Sequence, residues 1–131
     1  MIFLDSSYIV SLVVDSEEDH ENALELFEKL EGKELVITNA VLTETINLLL
    51  KRLNRNTKAI SEVYETITSE FTIIYENKEL TQRAMETLIK YKATLGLADA
   101  LSIEVMKELN IYEIFSFDDD FDNKEHIVWI H

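Results

Sequence analysis

"LGLADALSIEVMKELNIYEIFSFDDDF", Leu95 to Phe121, is the stretch that decides the fold. In its first half the apolar residues recur at helical spacing. Leu95, Ile103 and Met106 stand at i−4, i+4 and i+7 from Asp99, on one face of a helix. In its second half the pattern shortens to "EIFSF", a brief run of β-branched and aromatic residues that reads as a buried strand. The same alternation recurs on either side of this stretch. "MIFL", "ELVIT", "FTIIY" and "IVWI" read as further strands. Helical patterns cover residues 7–14, 18–31, 40–53, 58–70, 79–94 and 98–109, with Asp19 or Ser16 expected to cap the second and Asn39 the third. Strands alternating with helices imply an α/β fold: one domain over residues 1–131, with a mainly parallel sheet of about five strands flanked by helices on both sides.

The bulk composition narrows the function classes. A chain of 131 residues, 47% hydrophobic, with two glycines and no proline has material for one core and no linker-like tract. It has no cysteine, which removes disulfides, thiolate metal sites and cysteine nucleophiles together. "MIFLDSS" meets an aspartate at position 5 without a basic lead-in, and no apolar run reaches membrane-spanning length, so a cytoplasmic protein with no membrane partner is expected. The formal charge of −14, from 26 acids and 12 bases, argues on average against an anionic partner. The bases are unevenly spread: "KRLNRNTK", Lys51 to Lys58, holds four of them, and Lys78, Arg83, Lys90 and Lys92 are four more.

The acids carry the chemical signal. In open α/β sheets the ligand crevice lies beyond the carboxyl ends of the strands. Asp5 follows "MIFL", Asp118 follows "IFSF", Glu44 lies early in the helix after "ELVIT", and Asp99 opens the helix leading into "EIFSF". Glu44, with Val41 at i−3 and Leu48 at i+4, is expected on an apolar stripe, as is Asp99. Neither has Lys or Arg at i±3 or i±4. Buried carboxylates are normally paired or bound to metal, and four in one crevice repel unless cations neutralise them. An oxygen-only donor set, with His20, His126 and His131 scattered, suits Mg²⁺ or Mn²⁺. Acid-held ions of that kind serve phosphoryl transfer or phosphodiester hydrolysis.

In this order, "FLDSSYIV", "TNAVLTETINLL", "LGLADALSIEVMKELNI" and "IFSFDDDF" resemble the PIN-domain ribonucleases, in particular the VapC-type toxins of toxin–antitoxin pairs. The resemblance covers essentially the whole chain. It implies a Mg²⁺- or Mn²⁺-dependent endoribonuclease that cleaves single-stranded RNA by metal-activated water, works as a homodimer and is inhibited by a small VapB-like antitoxin. It assigns the acidic quartet to Asp5, Glu44, Asp99 and Asp118. The final motif, Thr/Ser-x-Asp-x-x-Phe in the family, reads here from Ser116 to Phe121. Ser116, Ser6 and Ser7 would then be supporting hydroxyls, Asp120 an additional ligand acting through water, and Phe121 a core anchor. Where many relatives carry a basic residue after the last acid, this chain has Asp119 and Asp120, so RNA contacts are expected from Lys51, Arg52, Arg55 or Lys58.

Two rivals fail on the residues. An EF-hand loop beginning at Asp118 would have Asn123 where its glycine belongs and Trp129 in place of the closing glutamate. A phosphoacceptor receiver would need an aspartate ending a central strand and a lysine ending a later one. "ELVIT", "FTIIY" and "IVWIH" supply neither. The remaining alternatives are a stand-alone RNA-processing PIN nuclease and a degenerate PIN-like binding module.

Overall fold

The chain alternates strand and helix throughout, as a computed structural model describing all 131 residues shows. The strands are Ile2–Leu4 (β1), Leu35–Thr38 (β2), Phe71–Ile74 (β3), Glu113–Phe115 (β4) and Val128–Ile130 (β5). The α-helices are Ser6–Val13 (α1), His20–Phe27 (α2), Asn39–Arg52 (α3), Thr57–Glu70 (α4), Lys78–Lys90 (α5) and Leu97–Leu109 (α6). Every strand pair is parallel, in the order β3-β2-β1-β4-β5. Phe3 on the central strand lies between Val36 of β2 and Ile114 of β4. The chain winds outward from β1 through β2 to β3, then returns to β4 and β5 on the other side. That reversal makes β1/β4 the topological switch point, where doubly wound sheets open a crevice.

A single main core fills the space between sheet and helices. Phe3, Val36, Ile37, Ile114 and Phe115 from the strands meet Tyr8, Ile103, Val105 and Met106 from α1 and α6. The Tyr8 ring stands edge-on to Phe115 at 5.3 Å, and its hydroxyl donates to the Ala23 carbonyl at 3.0 Å, so the one polar atom of a buried ring is satisfied. Burial pushes that phenol up to about 12. Residues 100–106 of α6 are all buried, which is why its apolar residues are not confined to a stripe. No helix is long and apolar enough to cross a membrane.

Several local expectations shift. The cap of α3 is Thr38, whose Oγ1 accepts from the Val41 N–H at 3.1 Å. Asn39 instead accepts from the Glu76 N–H at 2.8 Å, tying the start of α3 to the loop after β3. Asp19 precedes α2 but its side chain makes no capping bond, and α2 gives way to a 3-10 turn at Glu28–Leu30. The helical pattern expected to reach residue 94 stops at Lys90, because Lys92 and Ala93 adopt left-handed backbone at φ 55° and 57°. Ala93 N–H then returns to the Leu88 carbonyl and closes the helix end.

Candidate active site and metal centre

The site is built where β1 and β4 end. Asp5 follows β1 directly, and its N–H donates to the Phe115 carbonyl at 3.0 Å, so the ladder between the two strands ends at the first acid. Asp5 as a residue is 3% exposed. Two hydroxyls hold it: Ser7 Oγ and Ser116 Oγ each donate to Oδ2 at 2.8 Å. The same hydroxyls accept from the chain that follows β4, Ser116 Oγ from the Asp118 N–H and Ser7 Oγ from the Phe117 N–H, both at 3.0 Å. A knot of two serines thus fixes Asp5 and presents Asp118 beside it. Ser6, also buried, makes no side-chain bond to these acids.

Asp118 turns the chain. Its Oδ1 accepts from the Asp120 N–H at 3.1 Å and starts a 3-10 turn, Asp119–Phe121, pinned by the fully buried Phe121. That turn brings Asp120 back to the site, while Asp119 and Asp122 stay exposed. Asp99, in the first turn of α6, comes in from across the crevice. One carboxylate oxygen each from Asp99, Asp118 and Asp120 lie within 4.8 Å of one another. Asp120 therefore offers a carboxylate oxygen to the cluster, because the cap bond from Asp118 folds the turn inward.

Glu44 does not lie on an apolar stripe. The buried residues of α3 are Val41, Thr45 and Leu49, at i, i+4 and i+8, and Glu44 is exposed one position away. It lines a groove of about 420 Å³ with Asn39, Asn47, Lys51 and Ala98, outside the three-aspartate group but close enough for its charge to act on Asp5. Of the expected basic residues, only Lys51 lines this groove. Arg52 is spent on Glu17 at 2.6 Å, and Arg55 and Lys58 are exposed.

The electrostatics record the crowding. Burial, then the charges of Asp5 and Asp118 and a hydrogen bond with Asp120, push the Asp99 carboxyl up to about 8. Burial also raises Asp5 against the opposing help of Ser7 and Ser116, and raises Asp118 against the help of the Asp120 N–H. None of the five ion pairs in the chain involves these aspartates or Glu44. The protein supplies no positive charge to balance them. A donor set of carboxylates alone, with no cysteine anywhere, fits a hard divalent cation of the Mg²⁺ or Mn²⁺ kind.

A family model for the PIN domain matches residues 2–127. The chain belongs to the PIN-domain family. Among solved structures this PIN domain is similar to Mycobacterium tuberculosis VapC20, a sarcin-ricin loop cleaving toxin, with a TM-score of 0.84 and 24% identity over 95% of each chain. VapBC2 from Rickettsia felis, bound to a DNA fragment from its promoter, matches with a TM-score of 0.69 and 19% identity over 99% of this chain and 98% of that one. A toxin–antitoxin complex from Klebsiella pneumoniae gives 0.69 and 18% over 98% and 96%. At these identities the likeness is one of fold. No curated protein matches the sequence significantly. In this fold Asp5 follows the central strand, Asp118 lies just beyond its neighbour across the switch point, and Asp99 sits in the first turn of the helix that leads into that neighbour.

Proposed function

We propose that this PIN domain is a Mg²⁺- or Mn²⁺-dependent endoribonuclease acting on single-stranded RNA, the toxin of a toxin–antitoxin pair. The observation carrying the reading is the convergence of Asp99, Asp118 and Asp120 at the switch point with no protein cation to neutralise them. The working set is Asp5, Glu44, Asp99 and Asp118, with Asp120 added to it. Asp99, Asp118 and Asp120 would hold the ion. Asp5, its Oδ2 occupied by two serine hydroxyls, keeps Oδ1 for the same purpose. Glu44 guards the adjoining groove, where Lys51 offers a contact for phosphate. A bound divalent ion supplies Lewis-acid activation of water and neutralises charge on the phosphodiester. The aspartates orient that ion, and the serine knot keeps Asp5 and Asp118 in fixed relation. A homodimeric state and a cytoplasmic setting belong to the proposal, as does a small antitoxin, which the fold shared with toxin–antitoxin complexes supports.

The test is cleavage of an unstructured RNA by the purified chain. Activity should require Mg²⁺ or Mn²⁺, vanish in EDTA and fall at least about 100-fold in Asp99→Asn, the scale expected when one electrostatic contributor at a reacting centre is lost. Undiminished turnover in EDTA, or in Asp99→Asn, would remove the mechanism. For the toxin role, expression should arrest host growth while Asp118→Asn does not.

A further inference from the structure

The chain after the acidic turn makes a second feature, which the catalytic reading does not use. The rings of Trp129 and His131 stack at 3.8 Å between centroids with a 20° tilt. Trp129 is held in place, since its Nε1–H donates to the Ser116 carbonyl at 2.9 Å, in the same residue whose hydroxyl supports Asp5. The stacked pair forms a wall common to two grooves. On one side, a groove of about 600 Å³ runs to Asp118. On the other, a groove of about 850 Å³ is lined by Lys90, Tyr91 and Lys124. Both ammonium groups sit over the Tyr91 ring, at 5.2 and 5.5 Å.

We propose that this wall is a base-stacking site for single-stranded RNA, which positions the strand for the acidic centre. The proposal rests on the nuclease reading for the identity of its ligand. Three arguments carry it. Aromatic faces accept any nucleobase, and stacking suits a strand whose bases are unpaired. At the larger groove Lys90 and Glu125 pair at 2.9 Å and Lys124 stands against Asp122, so the lining is balanced where the chain as a whole averages −14, and Lys124 is its base without an ion pair. The wall also borders the groove that reaches Asp118, which Asp19 and Asp119 line as well, so a base on the stack lies beside one aspartate of the acidic centre. Lys124 thereby supplies a basic contact that Asp119 and Asp120 cannot.

Trp129 is the only tryptophan, so its emission reports this wall alone. Titration of the full chain with an unstructured oligouridylate, in Ca²⁺ and separately in EDTA, is followed by tryptophan emission and by anisotropy of a labelled strand. The expected result is saturable quenching whose midpoint coincides with the anisotropy change. Trp129→Phe, which keeps a stacking face, should bind within a few-fold of the parent. Trp129→Leu should weaken binding roughly tenfold, in line with the loss of one base–aromatic stack. Lys124→Ala should reduce the salt slope of log K by about 0.7. Binding without change in emission would overturn the site while leaving the nuclease reading standing. Quenching without metal-dependent cleavage would leave the site and remove the nuclease. No oligonucleotide binding by either signal overturns the site. So does an emission change with a basic decapeptide but not with RNA, which would assign the wall to a protein ligand.

Discussion

Asp99 sits between two opposing costs. Ionised, it is crowded by Asp5 and Asp118 in a half-buried site, and protonated it can share a hydrogen bond with Asp120. In the unfolded chain its pKa is the ordinary 3.8, and in the metal-free fold it is about 8. The folded state therefore binds the proton more tightly. Between those two values stability falls as pH rises; the contribution is whole below 3.8 and gone above about 8. Asp5 and Asp118, both raised, act in the same direction. Urea unfolding in EDTA should show stability declining between about pH 5.5 and 8.5, with the decline flattened in Asp99→Asn. A stability that climbs over that range would contradict the assigned crowding. Ser116 is the second residue on which the site turns. Ser116→Ala leaves Asp5 Oδ2 with one hydroxyl and the Asp118 N–H without its acceptor. The expected cost is about 1–3 kcal/mol in stability and a larger loss in kcat than in KM, with Ser116→Thr restoring both.

At the scale of elements, α3 shows what sequence can and cannot tell. Its existence follows from apolar residues at helical spacing after a β-branched run. Its facing does not, because Val41 and Leu48 bracket Glu44 as plausibly as Val41 and Leu49 bracket Thr45. Packing against α1 and α6 chooses the second, burying Thr45 completely and exposing Glu44. The cap was similarly ambiguous, since Thr38 and Asn39 can both accept the bond, and the loop carrying Glu76 claims Asn39. Asp5, Asp99 and Asp118 were legible because each is adjacent in sequence to the element that positions it. Asp120 was legible only in part, because its inward aim depends on the 3-10 turn that Asp118 starts. Trp129 and His131 carried no local signal at all, since their nearness to the site comes from β5 pairing with β4. The choice of face on α3 has a measurable consequence. Thr45 Oγ1 is buried without a hydrogen-bond partner. Thr45→Val keeps the branched shape and removes the orphan hydroxyl, so it should stabilise the protein by about 1–2 kcal/mol in a denaturant melt.

Over the whole molecule, 26 acids face 12 bases, and all five ion pairs have a basic partner with nearly half or more of its side chain exposed. Such pairs contribute little. The excess negative charge is therefore borne by the fold rather than cancelled within it, and it is most costly where Asp5, Asp99, Asp118 and Asp120 meet. A divalent cation that binds only the folded chain adds RT ln(1 + [L]/Kd), about 2.7 kcal/mol at a hundredfold excess over Kd, which for a domain of this size moves Tm by roughly 10 °C. Two different causes would raise Tm on adding salt, and they separate cleanly. General screening depends on ionic strength, so NaCl matched to the MgCl₂ or MnCl₂ solution would serve as well. Site binding depends on the aspartates, so NaCl should fall well short and Asp99→Asn/Asp118→Asn should lose most of the divalent gain. Protons compete with the ion for the same carboxylates, so the gain should also be larger near pH 8 than near about pH 5.5. Equal shifts from matched NaCl, or a gain indifferent to pH, would mean that the cluster is relieved by diffuse counterions and holds no ion of its own.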